Sequence, residues 1–154
     1  MVTVTVFAAP MLIARGGGLI ASISSSGAAE YAWHVAYGVG KAALDRLTSD
    51  VAHELKDHGV AVISLWPGLV KTERTVQGAD TIPGLNLETA ESSRFTGRAI
   101  AALAADPKVI EKTGRAIASR DLADEYGFTD VDGTLPAGPL HDRQAGTPGA
   151  LSHR

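Results

Sequence analysis

Tyr37-Gly38-Val39-Gly40-Lys41 sets a phenol and an ammonium four residues apart. On a helix that offset is about one turn, so both side chains leave the same face, ~5–6 Å apart at Cβ. A phenol is a poor acid or base at neutral pH, with an ordinary pKa of about 10. A nearby ammonium stabilises the phenolate and draws that pKa toward the working range. Such a pair could pass a proton to or from a carbonyl or an alcohol. The spacing alone carries little weight, because roughly one tyrosine in twenty has a lysine at this offset by chance. The surroundings supply the rest.

From Tyr37 to His58 the pattern is helical. Leu44, Leu47, Val51 and Leu55 recur at three- and four-residue steps, while Asp45, Arg46, Asp50, Glu54 and Lys56 take other faces. His58-Gly59 closes the helix, with glycine in the C-cap position. Before it, Gly16-Gly17-Gly18 interrupts the chain, and Leu19 to Ser24 is a short apolar strand entering a serine cluster. After it, Val60 to Trp66 is nearly continuously apolar, as expected when both faces of a parallel sheet are covered. Pro67-Gly68 ends that strand. Strand, helix and strand make a βαβ unit, whose crossover is right-handed in nearly all cases.

In open α/β sheets, ligands bind beyond the carboxyl ends of the strands. Ser24 at the end of one strand, Tyr37 and Lys41 on the following helix, and Pro67-Gly68 at the end of the next strand should therefore meet at one crevice. A serine hydroxyl there can hold a carbonyl oxygen. Further along, Arg74 to Thr89 reads as a mobile loop, Ala90 to Ala105 as a helix closed by Asp106-Pro107, and Thr113 to Ser119 as a third strand. From Leu135 the chain is rich in Gly, Pro, Ala and Ser, which predicts a folded part over 1–134 and a poorly ordered tail over 135–154.

At 154 residues the chain is long enough for one domain with a real core. A 45% apolar and 20% charged composition fits an α/β protein. The net charge of −3, with no basic block, argues against nucleic acid or an anionic membrane as partner. The absence of cysteine removes disulfides, thiolate catalysis and zinc–thiolate sites together. No apolar run approaches the ~18 residues of a membrane span. Met1 to Pro10 lacks the positive charge of a signal peptide, so a cytoplasmic location is expected. The five histidines show no ligand spacing. Asp130-Val131-Asp132-Gly133 lacks the third ligand and closing glutamate of a calcium loop, so no metal is expected. Trp33 and Trp66 read as core or pocket wall.

The chain resembles the C-terminal part of a short-chain dehydrogenase/reductase. The resemblance runs through Leu19-Ile-Ala-Ser-Ile-Ser-Ser25, Tyr37-Gly-Val-Gly-Lys-Ala-Ala43, Val60 to Leu65, and Pro67-Gly68-Leu69-Val70-Lys71-Thr72-Glu73. Together with Ser64-Leu-Trp-Pro-Gly68 and Asp121 to Gly133, the form is similar to the family's "member one" branch. It covers nearly the whole chain and weakens after Gly133. What it implies is a Rossmann-type, doubly wound parallel sheet and NAD(P)-dependent carbonyl reduction or alcohol oxidation of a small molecule. By resemblance, Tyr37 is the acid–base. Lys41 holds the nicotinamide ribose hydroxyls and lowers the tyrosine pKa. Ser24 bonds the substrate oxygen, being thirteen residues before Tyr37, an offset that Ser25 and Ser26 lack. Pro67, Gly68, Val70 and Thr72 match the segment that cradles the nicotinamide carboxamide, with Thr72 as its side-chain contact. The cofactor carries the hydride chemistry. NADP is the branch-level expectation over NAD. The same comparison puts Val2 to Val6, which alternate like a strand, in a helix ending near Gly16; helix is the expectation adopted.

The departures are large. No Gly-x-x-x-Gly-x-Gly loop follows an opening strand, and no Asn-Ala-Gly stretch or active-site asparagine precedes Gly16. Gly16-Gly17-Gly18 precedes a strand and offers no helix N-terminus to a pyrophosphate. The expectation is a chain without the dinucleotide-binding half. It should expose apolar edge surface, be poorly folded, aggregation-prone or paired with another copy as a homo-oligomer, and have little activity alone. Another class remains: a non-catalytic dimerisation module, built on the Tyr37–His58 and Ala90–Ala105 helices, in which the Ser/Tyr/Lys set is a relic. Sugar-nucleotide epimerases share Tyr-x-x-x-Lys, but Pro67 to Thr72 fits a dehydrogenase better.

Overall fold

The computed structural model describes residues 2–79 and 85–139. In chain order the elements are α1 (Val2–Arg15), β1 (Gly18–Ile23), α2 (Val35–Leu55), β2 (Val60–Trp66), α3 (Glu73–Gln77), α4 (Ser93–Ala105), β3 (Ala116–Ala118) and α5 (Ser119–Tyr126). The strands form a parallel sheet in the order β1-β2-β3, with Ile23 opposite Leu65 and Leu65 opposite Ile117.

Helices cover both faces of this sheet, and the pleat decides which residue meets which layer. Ile20, Val60 and Val62 pack with Ala52 and Leu55 of α2, flanked by Ala9 and Leu12 of α1. Ile63, Leu65 and Ile117 face the other way, onto Ala99 and Leu103 of α4 and Leu122 of α5. The burial of β2 on both sides explains why its sequence is continuously apolar rather than alternating. The same alternation turns Ser22 and Ser24 of the β1 edge toward α2, and Thr48 of α2 donates to Ser22 at 3.4 Å.

Val2 to Val6 is helical, because the helix lets Ala9 and Leu12 reach the core. The outer side of α1 leaves Val6, Phe7 and Met11 exposed at 61%, 72% and 73%. α2 begins two residues before Tyr37: His34 Nδ1 accepts the Tyr37 N–H at 3.2 Å and caps the helix. It closes through a short 3-10 turn, Lys56–His58, into Gly59 at φ 72°, the left-handed conformation that glycine adopts freely.

Several expectations need correcting. The segment read as a loop from Arg74 begins as helix α3, which the Thr72 hydroxyl caps by accepting from Thr75 N at 3.2 Å, with Glu73 in the first turn. Positions 80–84 of that segment lie outside the described residues. The helix expected from Ala90 starts at Ser93, because Glu91 instead pairs with Val70 in an isolated parallel bridge. The third strand is shorter than Thr113 to Ser119, since Ser119 already opens α5, a helix not foreseen. Trp33 is 55% exposed at φ 63°, and so is not core. The first residues of the expected tail are docked rather than loose. Ala137 N donates to Thr89 O at 3.1 Å, and Arg120 Nη1 donates to Pro136 O at 3.0 Å. Residues 140–154 of that tail lie outside the described residues.

Candidate active site

The end of β1 and the start of α2 are knotted together by the residues singled out for chemistry. Ser24, 3% exposed, takes up the last position of the sheet edge, where its N–H donates to Leu65 O at 2.8 Å. Its hydroxyl donates to the Lys41 carbonyl at 3.3 Å. Lys41 returns the contact, Nζ donating to the Ile23 carbonyl at 3.1 Å. The same ammonium lies 5.6 Å from the centroid of the Tyr37 ring, as the one-turn offset requires. Ser24, Tyr37 and Lys41 therefore share one patch. The tyrosine ring lies against Gly27, where an added Cβ would come within 2.8 Å of Tyr37 Cε1. A depression of about 400 Å³ beside this patch is lined by Gly27, Tyr31, His34, Val35 and Val39, and the three candidate residues do not line it.

Pro67 and Gly68 leave β2 at the same carboxyl edge, where the β1–β2 register sets Ile23 beside Leu65. Gly68 N donates to Glu91 Oε2 at 2.9 Å, and Val70 bridges Glu91. The Thr72 hydroxyl is committed to α3, lying 2.8 Å from Thr75 Oγ1 besides accepting the Thr75 N–H. Gly68 and the β1–α2 patch thus stand at one end of the sheet, and Thr72 marks where the segment turns into α3.

Two carboxylates organise this end and were not anticipated. Asp45 accepts from Ser64 Oγ at 2.6 Å and from Trp66 Nε1 at 2.9 Å, tying α2 to the last turn of β2. Its position one turn beyond Lys41 was the available signal, since it continues the stripe that faces the sheet. Glu91 has no such signal, because its partners come from distant loops. It is fully buried; Oε2 accepts from Gly68 N and Oε1 from Thr96 Oγ1 at 2.7 Å. Next to it, Asp130 accepts from Ser92 N at 2.7 Å and from Ser92 Oγ at 2.5 Å. Burial pushes Asp130 up, but these bonds and that from Val131 N outweigh it and hold the carboxyl below its ordinary range.

Burial pushes the Glu91 carboxyl above its ordinary value; the Thr96 and Gly68 bonds oppose this, and Asp130 adds to it. The folded chain then binds this proton more tightly than the unfolded chain. Its favourable contribution is present when the group is protonated and is lost as pH rises through the folded pKa. Glutamine at this position cannot ionise. Glu91→Gln should gain thermal stability relative to wild type as pH rises from the ordinary carboxylate range to neutral and above. Paired melting curves across that range check this, and a constant difference would refute it.

A family model described as "short chain dehydrogenase" matches residues 1–82. The mouse protein "Dehydrogenase/reductase SDR family member 1" is 42% identical over 139 residues, covering 84% of this chain and 44% of its own length. The chain thus spans under half the length of that relative. Among solved structures, a short-chain type dehydrogenase/reductase from Mycobacterium ulcerans superposes with a TM-score of 0.63 at 27% identity, over 75% of this chain and 44% of its own. An acetoin dehydrogenase from Enterobacter cloacae does so at 0.60 and 26% identity, over 74% and 46%.

Proposed function

The chain belongs to the short-chain dehydrogenase family, and from that premise we propose that it carries the catalytic half of an NAD(P)-dependent carbonyl reductase or alcohol dehydrogenase. The observation that carries the proposal is the Ser24–Lys41–Tyr37 knot at the carboxyl edge of a parallel sheet. In this reading the Tyr37 hydroxyl gives its proton to the carbonyl oxygen as the alcohol forms, and takes it back in the reverse reaction. Ser24 donates to the same oxygen and fixes it in place. Lys41 holds positive charge near the phenol and would bond the nicotinamide ribose. Pro67, Gly68, Val70 and Thr72 would seat the carboxamide, a role suited to a segment whose main chain is held at fixed points. The cofactor, when bound, supplies the hydride.

NADP is proposed over NAD, a small ketone, aldehyde or alcohol as substrate, and the cytoplasm as location. Among the described residues no helix is long and apolar enough to cross a membrane. The 154 residues contain no glycine-rich phosphate loop, so on their own they should hold the cofactor more weakly than micromolar. Saturable micromolar NADPH or NADH binding by the purified chain would sink that part.

The reaction itself is tested by joining these residues to the dinucleotide-binding half of a related reductase and following NADPH oxidation against a panel of small ketones and aldehydes. Cofactor-dependent turnover supports the proposal. A folded, cofactor-binding protein that reduces none of the panel refutes it. Gly27→Ala should lower turnover by about 10- to 100-fold, because the added methyl displaces the Tyr37 ring from its reactive position. Comparing kcat for this variant and wild type in the same assay checks it.

A second reading is favoured by one observation, the exposed Val6, Phe7 and Met11 on α1. On that reading the chain forms a homo-oligomer through α1, not through the Tyr37–His58 and Ala90–Ala105 helices expected from the sequence, and its contact surface is the selected feature. An oligomer whose turnover survives Tyr37→Phe would favour this reading over the enzyme.

A further inference from the structure

We propose that Glu91 is a positioning residue that fixes the Pro67–Thr72 segment in its working place, a role that rests on reading that segment as the nicotinamide seat. Glu91 is fully buried, and among the described residues no lysine or arginine pairs with it. An uncompensated buried carboxylate is an expensive way to fill space, which an apolar side chain of similar volume would do better. What an apolar side chain cannot do is accept hydrogen bonds.

The bonds it accepts fall where the segment most needs them. Pro67 has no N–H, so Gly68 offers the first main-chain donor beyond β2, and Oε2 takes it at 2.9 Å. The Glu91 main chain grips the next residues, its N–H donating to Leu69 O at 2.8 Å and its carbonyl accepting from Lys71 N at 2.8 Å. One residue thus holds the segment at positions 68, 69 and 71. It is itself anchored to α4 through Thr96 and, one residue on, by the Ser92–Asp130 bonds. The Gly138 carbonyl lies 2.7 Å from where a Gly68 Cβ would be, so the segment passes this neighbour at a distance only glycine allows. The carboxylate sets the distance between the Pro-Gly turn and α4.

Three variants of the chain separate this role from ordinary packing. Glu91→Gln keeps an acceptor for Gly68 N, with its amide donating to Thr96, and should leave exchange protection of residues 67–72 within about 3-fold of wild type. Glu91→Met keeps the volume without the acceptor. It should speed amide exchange of that segment more than 10-fold, while peptides from β2 and α4 keep their protection. An NADPH titration followed by NMR should show the same order, with affinity retained in Glu91→Gln and at least 10-fold weaker in Glu91→Met. Where Glu91→Met does not fold, Glu91→Asp decides, since its carboxylate is one methylene too short to reach Gly68. Unchanged exchange of residues 67–72 in the deciding variant overturns the proposal, as does equal loss in Glu91→Gln. If wild type binds no NADPH even at millimolar concentration, the nicotinamide-seat reading fails, while the exchange data still judge the positioning role.

Discussion

Tyr37→Phe is expected to lower kcat by about 10²- to 10⁴-fold, the usual contribution of a positioned acid–base group. The substitution keeps the ring that lies against Gly27 and the main-chain N–H that caps α2 on His34, so local structure is retained. The loss should fall on kcat and kcat/KM together, because proton transfer is made only in the transition state. Turnover is measured with the chain joined to a related dinucleotide-binding half, alongside cofactor affinity as a control. Fall of kcat with cofactor affinity unchanged is the expected pattern. A variant within about 3-fold of wild type would remove Tyr37 from the chemistry.

Phe95→Ala should cost about 3–5 kcal/mol of folding stability, the largest effect expected of a single core truncation here. Phe95 has no exposed surface and meets Phe128 with ring centroids 5.3 Å apart and planes tilted by 56°. Removing it leaves a cavity beneath α4, three residues beyond the Ser92–Asp130 bonds and next to Thr96, which holds Glu91. The effect should therefore reach Pro67–Thr72 as well as the core. Denaturant unfolding with an unchanged slope and a lowered midpoint checks the stability term. A loss below about 1 kcal/mol would mean that the packing of α4 on the sheet is less rigid than the structure has it.

Much of this fold is legible in the sequence where one local rule acts alone. The continuous apolar run of β2 and the glycine that closes α2 translate directly into structure, whereas the steps of α2 give the helix but not its buried side, which runs through Thr48, Ala52 and Leu55 rather than Leu44 and Leu47. Legibility fails where two rules compete or where the cause is distant. Val2 to Val6 has the β-branched alternation of a strand, and only packing of Ala9 and Leu12 on the sheet makes it a helix. Ser119 to Tyr126 carries Leu122, Ala123 and Tyr126 at helical spacing before Gly127, yet its start is masked by the apolar Ala116 to Ala118 that precedes it. Thr72 is a helix cap at a position where the resemblance implies a carboxamide contact, and a sequence offers no way to weigh the two.

The candidate site divides the same way. Tyr37 and Lys41 are readable because a one-turn offset is a local property. Ser24 is readable from its place at the end of a strand and its thirteen-residue offset from Tyr37, and the pleat, which the structure shows, turns it toward α2. Glu91 is unreadable: its side-chain bond to Gly68 spans 23 residues, and nothing near it in the chain announces burial. Asp45 lies between, on the right stripe of the helix but indistinguishable by type from the solvated charges beside it.

The reaction can be followed by its hydrogen. With NADPH deuterated at both C4 positions and a small ketone, the chain joined to a related dinucleotide-binding half should place deuterium on the former carbonyl carbon, and Tyr37→Phe should slow that transfer at least 100-fold. Equal transfer by wild type and Tyr37→Phe, or none by a wild type that binds the cofactor, would contradict the role given to Ser24, Tyr37 and Lys41.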